Sequence, residues 1–189
     1  MTRRNIGVAI AVPEPYGSVL QTWRERLGDP NAAAIVPHVT LLPPTSVLGE
    51  ALPDIEEHLR IVAERSAPFE IHLRGSGTFR PISPVVFVTL TRGISECEAL
   101  EALVRSGPLA RPVSFPYHPH VTVAHDLPDD ALDRAYDELS TFDARFAVVG
   151  FTLFEQTRDG YWRPQRDLVF GGAGLPGPPE AAHSDRRGW

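Results

Sequence analysis

A chain of 189 residues that is 42% hydrophobic and 22% charged is long enough for one well-cored domain and too balanced in composition for disorder. Its 18 basic against 24 acidic residues leave a net charge of -6, which excludes a diffuse cationic surface able to hold long nucleic acid through counterion release. Every basic residue is arginine, which removes lysine Schiff-base, lysine-nucleophile and P-loop lysine chemistry. The one cysteine, Cys97, forms neither an intrachain disulfide nor a Cys-rich metal site, so a cytoplasmic protein is expected.

In chain order, Thr2-Arg3-Arg4-Asn5 followed by an apolar run superficially resembles a twin-arginine export signal, but the run stops at Pro13-Glu14 without a cleavage site. Asn5 to Val12 instead reads as a strand. No apolar stretch approaches the roughly 20 residues of a membrane helix, so no membrane is expected as a partner. A helix follows over Tyr16 to Leu27, with Val19, Trp23 and Leu27 on one face and Gly28 as its stop. Beyond an apolar run at residues 37–41, Ile55, Leu59 and Val62 mark a second helix, which runs into a strand through Ile71 and Leu73. Val85 to Thr91 is again β-rich. The third helix is predicted to start at Ser95, capped by a box with Glu98 and burying Cys97, Leu100 and Val104. Leu132, Ala135, Tyr136 and Leu139 recur at helical spacing, and a final hairpin turns at Asp159-Gly160 and returns from Tyr161 to Phe170. Residues 171–189, ending in Trp189, have the composition of a disordered tail.

The chain repeats itself. Leu52-Pro53-Asp54 recurs as Leu127-Pro128-Asp129, and the same offset of 75 pairs Gly75 with Gly150 and Phe79 with Phe154. Two β-α-β-α-β units, about 3–80 and 84–155, together with the hairpin make one bilobal domain over residues 1–170. The expected class is α+β: two pseudo-symmetric lobes of antiparallel-rich sheet with flanking helices around a central cleft.

The duplication carries chemistry with it. Pro37-His38-Val39-Thr40-Leu41 recurs as Pro119-His120-Val121-Thr122-Val123. Strand alternation sends His38 and Thr40 to one face and Val39 and Leu41 to the other, and likewise for His120 and Thr122. A single His-x-Thr in a strand is commonplace, but two at equivalent places of a duplicated unit point to function. Transfer at phosphorus needs one group to take a proton from the attacking oxygen and another to protonate the leaving oxygen, and two imidazoles suit both tasks. The threonine hydroxyls can donate to the non-bridging oxygens, and no metal or other cofactor is required.

These paired motifs resemble the two signatures of the 2H phosphoesterase superfamily, which includes the 2′-5′ RNA ligase and cyclic phosphodiesterase families, and the match spans about residues 3–170. The resemblance implies metal-independent action on 2′,3′-cyclic phosphates or 2′-5′ linkages of RNA ends or small nucleotides, or ligation in reverse. It implies His38 and His120 as the acid/base pair and Thr40 and Thr122 as phosphate donors, without saying which histidine is the base. Leu42-Pro43-Pro44 stands where the RNA-ligase branch carries Phe-Leu-Gly, which leaves the subfamily open. A module that holds a nucleotide or RNA terminus without turnover is the rival reading.

Further substrate contacts are expected from Arg80, Tyr161 and Arg163, because guanidinium grips phosphate and aromatics stack bases, and from His118, on the strand face of His120. Three histidines at 118, 120 and 125 along an extended strand cannot converge on one ion, so no metal site is expected. His58 and His183 read as solvated, and His72 as facing away from Ile71 and Leu73. The expected partner is a small nucleotide or RNA terminus rather than long nucleic acid, and the expected state is a monomer.

Overall fold

The computed structural model describes residues 2–112 and 115–172. The first unit comprises β1 (Arg3–Ala11), α1 (Tyr16–Leu27), β2 (His38–Leu48), α2 (Leu52–Arg65) and β3 (Phe69–Thr78). The second comprises β4 (Val85–Arg92), α3 (Ile94–Val104), β5 (His120–His125), α4 (Asp129–Glu138), β6 (Asp143–Val148) and β7 (Gly150–Gln156), and β8 (Trp162–Val169) follows. All eight strands join one curled antiparallel sheet in the order β6-β3-β4-β5-β2-β1-β7-β8.

A pseudo-twofold axis lies between β5 and β2. It relates β4 to β1 and β3 to β7, so the last strand of each unit crosses over to pair with the first strand of the other. The first helices cross too, α1 packing near β5 and α3 near β2. Neither unit completes its half of the sheet alone, and the two lobes share one core.

Strand alternation builds that core. Val39 and Leu41 of β2 and Val121 and Val123 of β5 are buried, which turns the intervening His and Thr side chains to the opposite face. From the helices, Leu20, Leu59, Leu100 and Leu132 are fully buried, each stabilising by about 1.5–3 kcal/mol relative to exposure.

Several local expectations are corrected. The buried stripe of α1 is Leu20, Arg24 and Leu27, whereas Val19 is 45% exposed, because the helix is rotated to put a buried ion pair inside. Tyr136 of α4 is likewise exposed. The Ser95–Glu98 capping box does not form: Gly93, in the left-handed region at φ 89, starts α3 one residue early, and the Ser95 hydroxyl faces Glu96 instead. The stretch matched to β3 at offset 75 is not one strand, since it breaks at Val149 into β6 beside β3 and β7 beside β1. The offset holds for β7: Gly77 pairs with Phe87 as Thr152 pairs with Ala9, leaving Phe79 and Phe154 equivalent. The 171–189 tail, with His183 and Trp189, lies outside the described residues except for Gly171 and Gly172. The Gly171 amide donates to Ala63 O at 3.1 Å.

Gly93 tests the α3 start, because a Cβ there would lie 2.8 Å from the Glu70 carbonyl oxygen in a backbone conformation that disfavours side chains. Gly93→Ala is expected to destabilise the fold by about 1–3 kcal/mol, read as a lower denaturation midpoint; an unchanged midpoint would contradict this geometry.

Candidate active site

β2 and β5 meet in antiparallel pairing at Val39 and Val121. Extending that register by one residue each way sets His38 opposite Thr122 and Thr40 opposite His120. The cleft face therefore carries a four-cornered array, histidines on one diagonal and threonines on the other. Tyr117 bridges the seam, its hydroxyl donating to the Thr40 carbonyl at 2.9 Å.

Both imidazoles are held in the same way. His38 Nδ1 lies 2.7 Å from the Val36 carbonyl and His120 Nδ1 lies 2.7 Å from the His118 carbonyl. A carbonyl only accepts, so each Nδ1 carries a proton; in the neutral ring Nε2 then keeps its lone pair, and in the imidazolium Nε2 carries the second proton. Desolvation holds both imidazoles below the ordinary histidine value; the Arg24 charge and His120 add to the effect on His38, as His118 does for His120.

Arg24 was not singled out by the sequence reading. Buried in α1, it bonds Asp29 Oδ2 through Nε at 2.9 Å, and its other two nitrogens donate to the Asn31 and Ile35 carbonyls. It pins the loop that delivers His38. The signal in the sequence is an arginine on the apolar stripe of a helix, with an aspartate five residues on.

The remaining expected contacts separate. His118 lies against His120, ring centroids 6.1 Å apart, and both pack on Phe79 and Phe87. Arg80 is ion-paired with Asp133 of α4 at 2.8 Å. Arg163 lies over the Tyr161 ring, 5.8 Å from its centroid. Between them in sequence, Trp162 lines the pocket beside His38 and Thr40, with Phe154. Strand alternation, applied from β7 across the hairpin, would have found it. His72 is buried and bonds Asp143 at 3.1 Å, and His58, read as solvated, is half-buried, its Nε2 3.2 Å from the Val104 carbonyl. Among the described residues, no group of three or more His, Cys, Asp or Glu could hold a metal ion, and no helix is long and apolar enough to cross a membrane.

The model of the 2′-5′ RNA ligase superfamily matches residues 12–160, both motifs included. The chain belongs to this superfamily, the 2H phosphoesterases. This 2H chain is 27% identical over 168 residues to a protein of Geobacillus kaustophilus named "Putative phosphoesterase", covering 88% of this chain and 96% of that one. A Bacillus pumilus protein of the same name is 26% identical over 170 residues, covering 89% and 98%. Among solved structures, Escherichia coli LigT complexed with 3′-AMP superposes with a TM-score of 0.64 at 22% identity, covering 89% of this chain and 99% of LigT. A Thermus thermophilus protein, TT0787, gives 0.57 at 22%, covering 90% and 98%. These two likenesses show the shared 2H fold.

The lowered imidazoles set a pH dependence of stability. Unfolded, both take up protons near pH 6.5; folded, they do so only at lower pH, so on acidification the unfolded chain holds more protons. Their contribution is whole above about pH 6.5 and falls as the pH drops toward the folded values. NMR titration of both rings is expected to give midpoints below 6.5, and His38→Gln to shrink the loss of stability between pH 7 and 5. Midpoints at or above 6.5 would contradict this electrostatic picture.

Proposed function

We propose that this chain is a phosphodiesterase acting on 2′,3′-cyclic phosphates or 2′-5′ phosphodiester bonds of small nucleotides or RNA ends, using the two histidines and no metal. The observation that carries the reading is the array of His38, Thr122, Thr40 and His120 with both Nδ1 atoms tied to backbone carbonyls. A phosphoryl group lying over Val39 and Val121 meets an Nε2 at each of two opposite corners and a hydroxyl at each of the others. One imidazole takes the proton of the attacking water or hydroxyl as its oxygen bonds to phosphorus. The other, entering the step as the imidazolium with a proton on each ring nitrogen, gives its Nε2 proton to the ribose oxygen as that oxygen's bond to phosphorus breaks. The hydroxyls donate to the non-bridging oxygens, where charge builds in the transition state. That LigT has been crystallised with 3′-AMP, ATP and NADP+ supports small nucleotides as the ligand class, and the net charge of -6 agrees with a small or terminal substrate.

The test is a panel of nucleoside 2′,3′-cyclic phosphates and 2′-5′ and 3′-5′ dinucleotides, incubated with EDTA and followed by phosphorus NMR. Turnover is expected to persist with EDTA, to fall about 10²–10⁴-fold in His38→Ala and in His120→Ala, and to fall about 10²–10³-fold in Thr40→Val or Thr122→Val. Unchanged turnover in both histidine variants would refute the mechanism. Tight binding without product would convert the reading to a nucleotide-holding protein.

A further inference from the structure

The pseudo-twofold that duplicates the catalytic groups does not duplicate their surroundings. Beside the first motif, β1 places Ala9 against Thr40 and Ala11 against His38; beside the second, β4 places Phe87 against Thr122 and Thr89 against His120. The small side chains leave room. Trp162 extends over β1, where a Cβ on Gly7 would come within 3.3 Å of its ring. The result is a pocket of about 170 Å³ bounded by His38, Ile35, Leu42, Pro44, Phe154 and Trp162. An apolar cavity of about 150 Å³ takes one benzene ring, so this pocket suits a flat heteroaromatic group.

On the other side the equivalent space is filled. The Phe79 and Phe87 ring centroids are 4.4 Å apart and each lies 5.0 Å from His120, and His118 stands within 5.6 Å of both. Gly77 makes this possible, because a Cβ there would lie 2.6 Å from the Phe87 ring. Phe87 is buried beneath the cluster. The side chains that would wall a second pocket occupy it.

Building on the proposed reaction, we infer that the cleft is one-sided: it seats a single nucleobase beside His38 and admits only a small reactant such as water beside His120. The substrate class is then a nucleoside 2′,3′-cyclic phosphate, free or at a strand end, and not a bond joining two nucleosides. Water bonds to phosphorus from the His120 side and gives its proton to that imidazole. The opposite P–O bond breaks, the ribose oxygen takes the Nε2 proton of His38, which enters the step as the imidazolium and leaves it neutral, and a phosphomonoester results.

Steady-state kinetics with adenosine 2′,3′-cyclic phosphate and 2′-5′ ApA test this. The native protein is expected to favour the cyclic compound by at least about 100-fold in kcat/KM. Phe79→Ala and Phe87→Ala are expected to narrow that preference at least about tenfold, by gaining on the dinucleotide. Ala9→Leu, which fills the pocket, is expected to raise KM for the cyclic compound about tenfold or more with a smaller change in kcat. Circular dichroism confirms folding, and the half-buried Phe79 keeps the test open if the buried Phe87 cannot be replaced. Comparable turnover of both substrates by the native protein overturns the one-sided cleft while leaving the two-histidine reaction standing. Turnover of neither overturns both.

Discussion

Everything in this molecule hangs on the narrow antiparallel contact between β2 and β5. These two strands come from different units, and their pairing is centred on Val39 and Val121. It performs two tasks at once. On one face it continues the buried sheet between the helices; on the other it sets two His-x-Thr segments in opposite directions, so that each histidine stands across from a threonine. A slip of one residue would send the chemistry of a strand into the core. The exchange of β3 and β7 between units backs that register, because β1, which flanks β2, is itself paired with β7 of the second unit, and β4, which flanks β5, with β3 of the first.

The imidazoles depend on this frame for their chemistry as well as their place. A backbone carbonyl two residues upstream holds each Nδ1, so the strand entering the motif selects the tautomer. The carbonyls are positioned differently. Before His38 the loop is tied by the buried Arg24–Asp29 pair and by the Trp162 amide, which donates to the Ala34 carbonyl at 2.8 Å. Before His120 the aromatic packing of His118 and the Tyr117 hydroxyl do that work. A buried ion pair is costly to desolvate and adds little stability over an apolar pair, so its presence under the loop before His38 is better understood as fixing geometry and charge around that histidine.

Much of this was legible in the sequence because it rests on periodicity. The repeat, the alternation at His38/Thr40 and His120/Thr122, the α1 stop at Gly28 and the turn at Gly160 follow from local rules, and the structure has them. What escaped is long-range. No local pattern says that β3 and β7 change partners, and offset matching merged β6 with β7 because both are apolar and only the backbone direction separates them. Arg24 escaped because an arginine within an apolar stripe counts against burial until its partner, Asp29, is seen folded beneath it. Tyr161 and Arg163 drew notice over Trp162 for their polar chemistry, whereas the face of the strand decides which side chain reaches the cleft.

Duplication explains why the two His-x-Thr segments are symmetric, and the proposed reaction gives a reason why their surroundings are not. In-line transfer at phosphorus requires matched proton donors and acceptors on opposite sides, which a twofold supplies directly. If the ligand is a nucleotide, as proposed, recognition requires the two sides to differ, since a symmetric cleft would bind a nucleoside in either direction and half of those complexes would present the wrong oxygen. Phe87 and Thr89 standing where the other unit has Ala9 and Ala11 break the degeneracy without moving an atom of either His-x-Thr segment. The asymmetry sits one strand away from the motifs, where a change of side-chain size alters the space beside a histidine and leaves its tautomer and register alone.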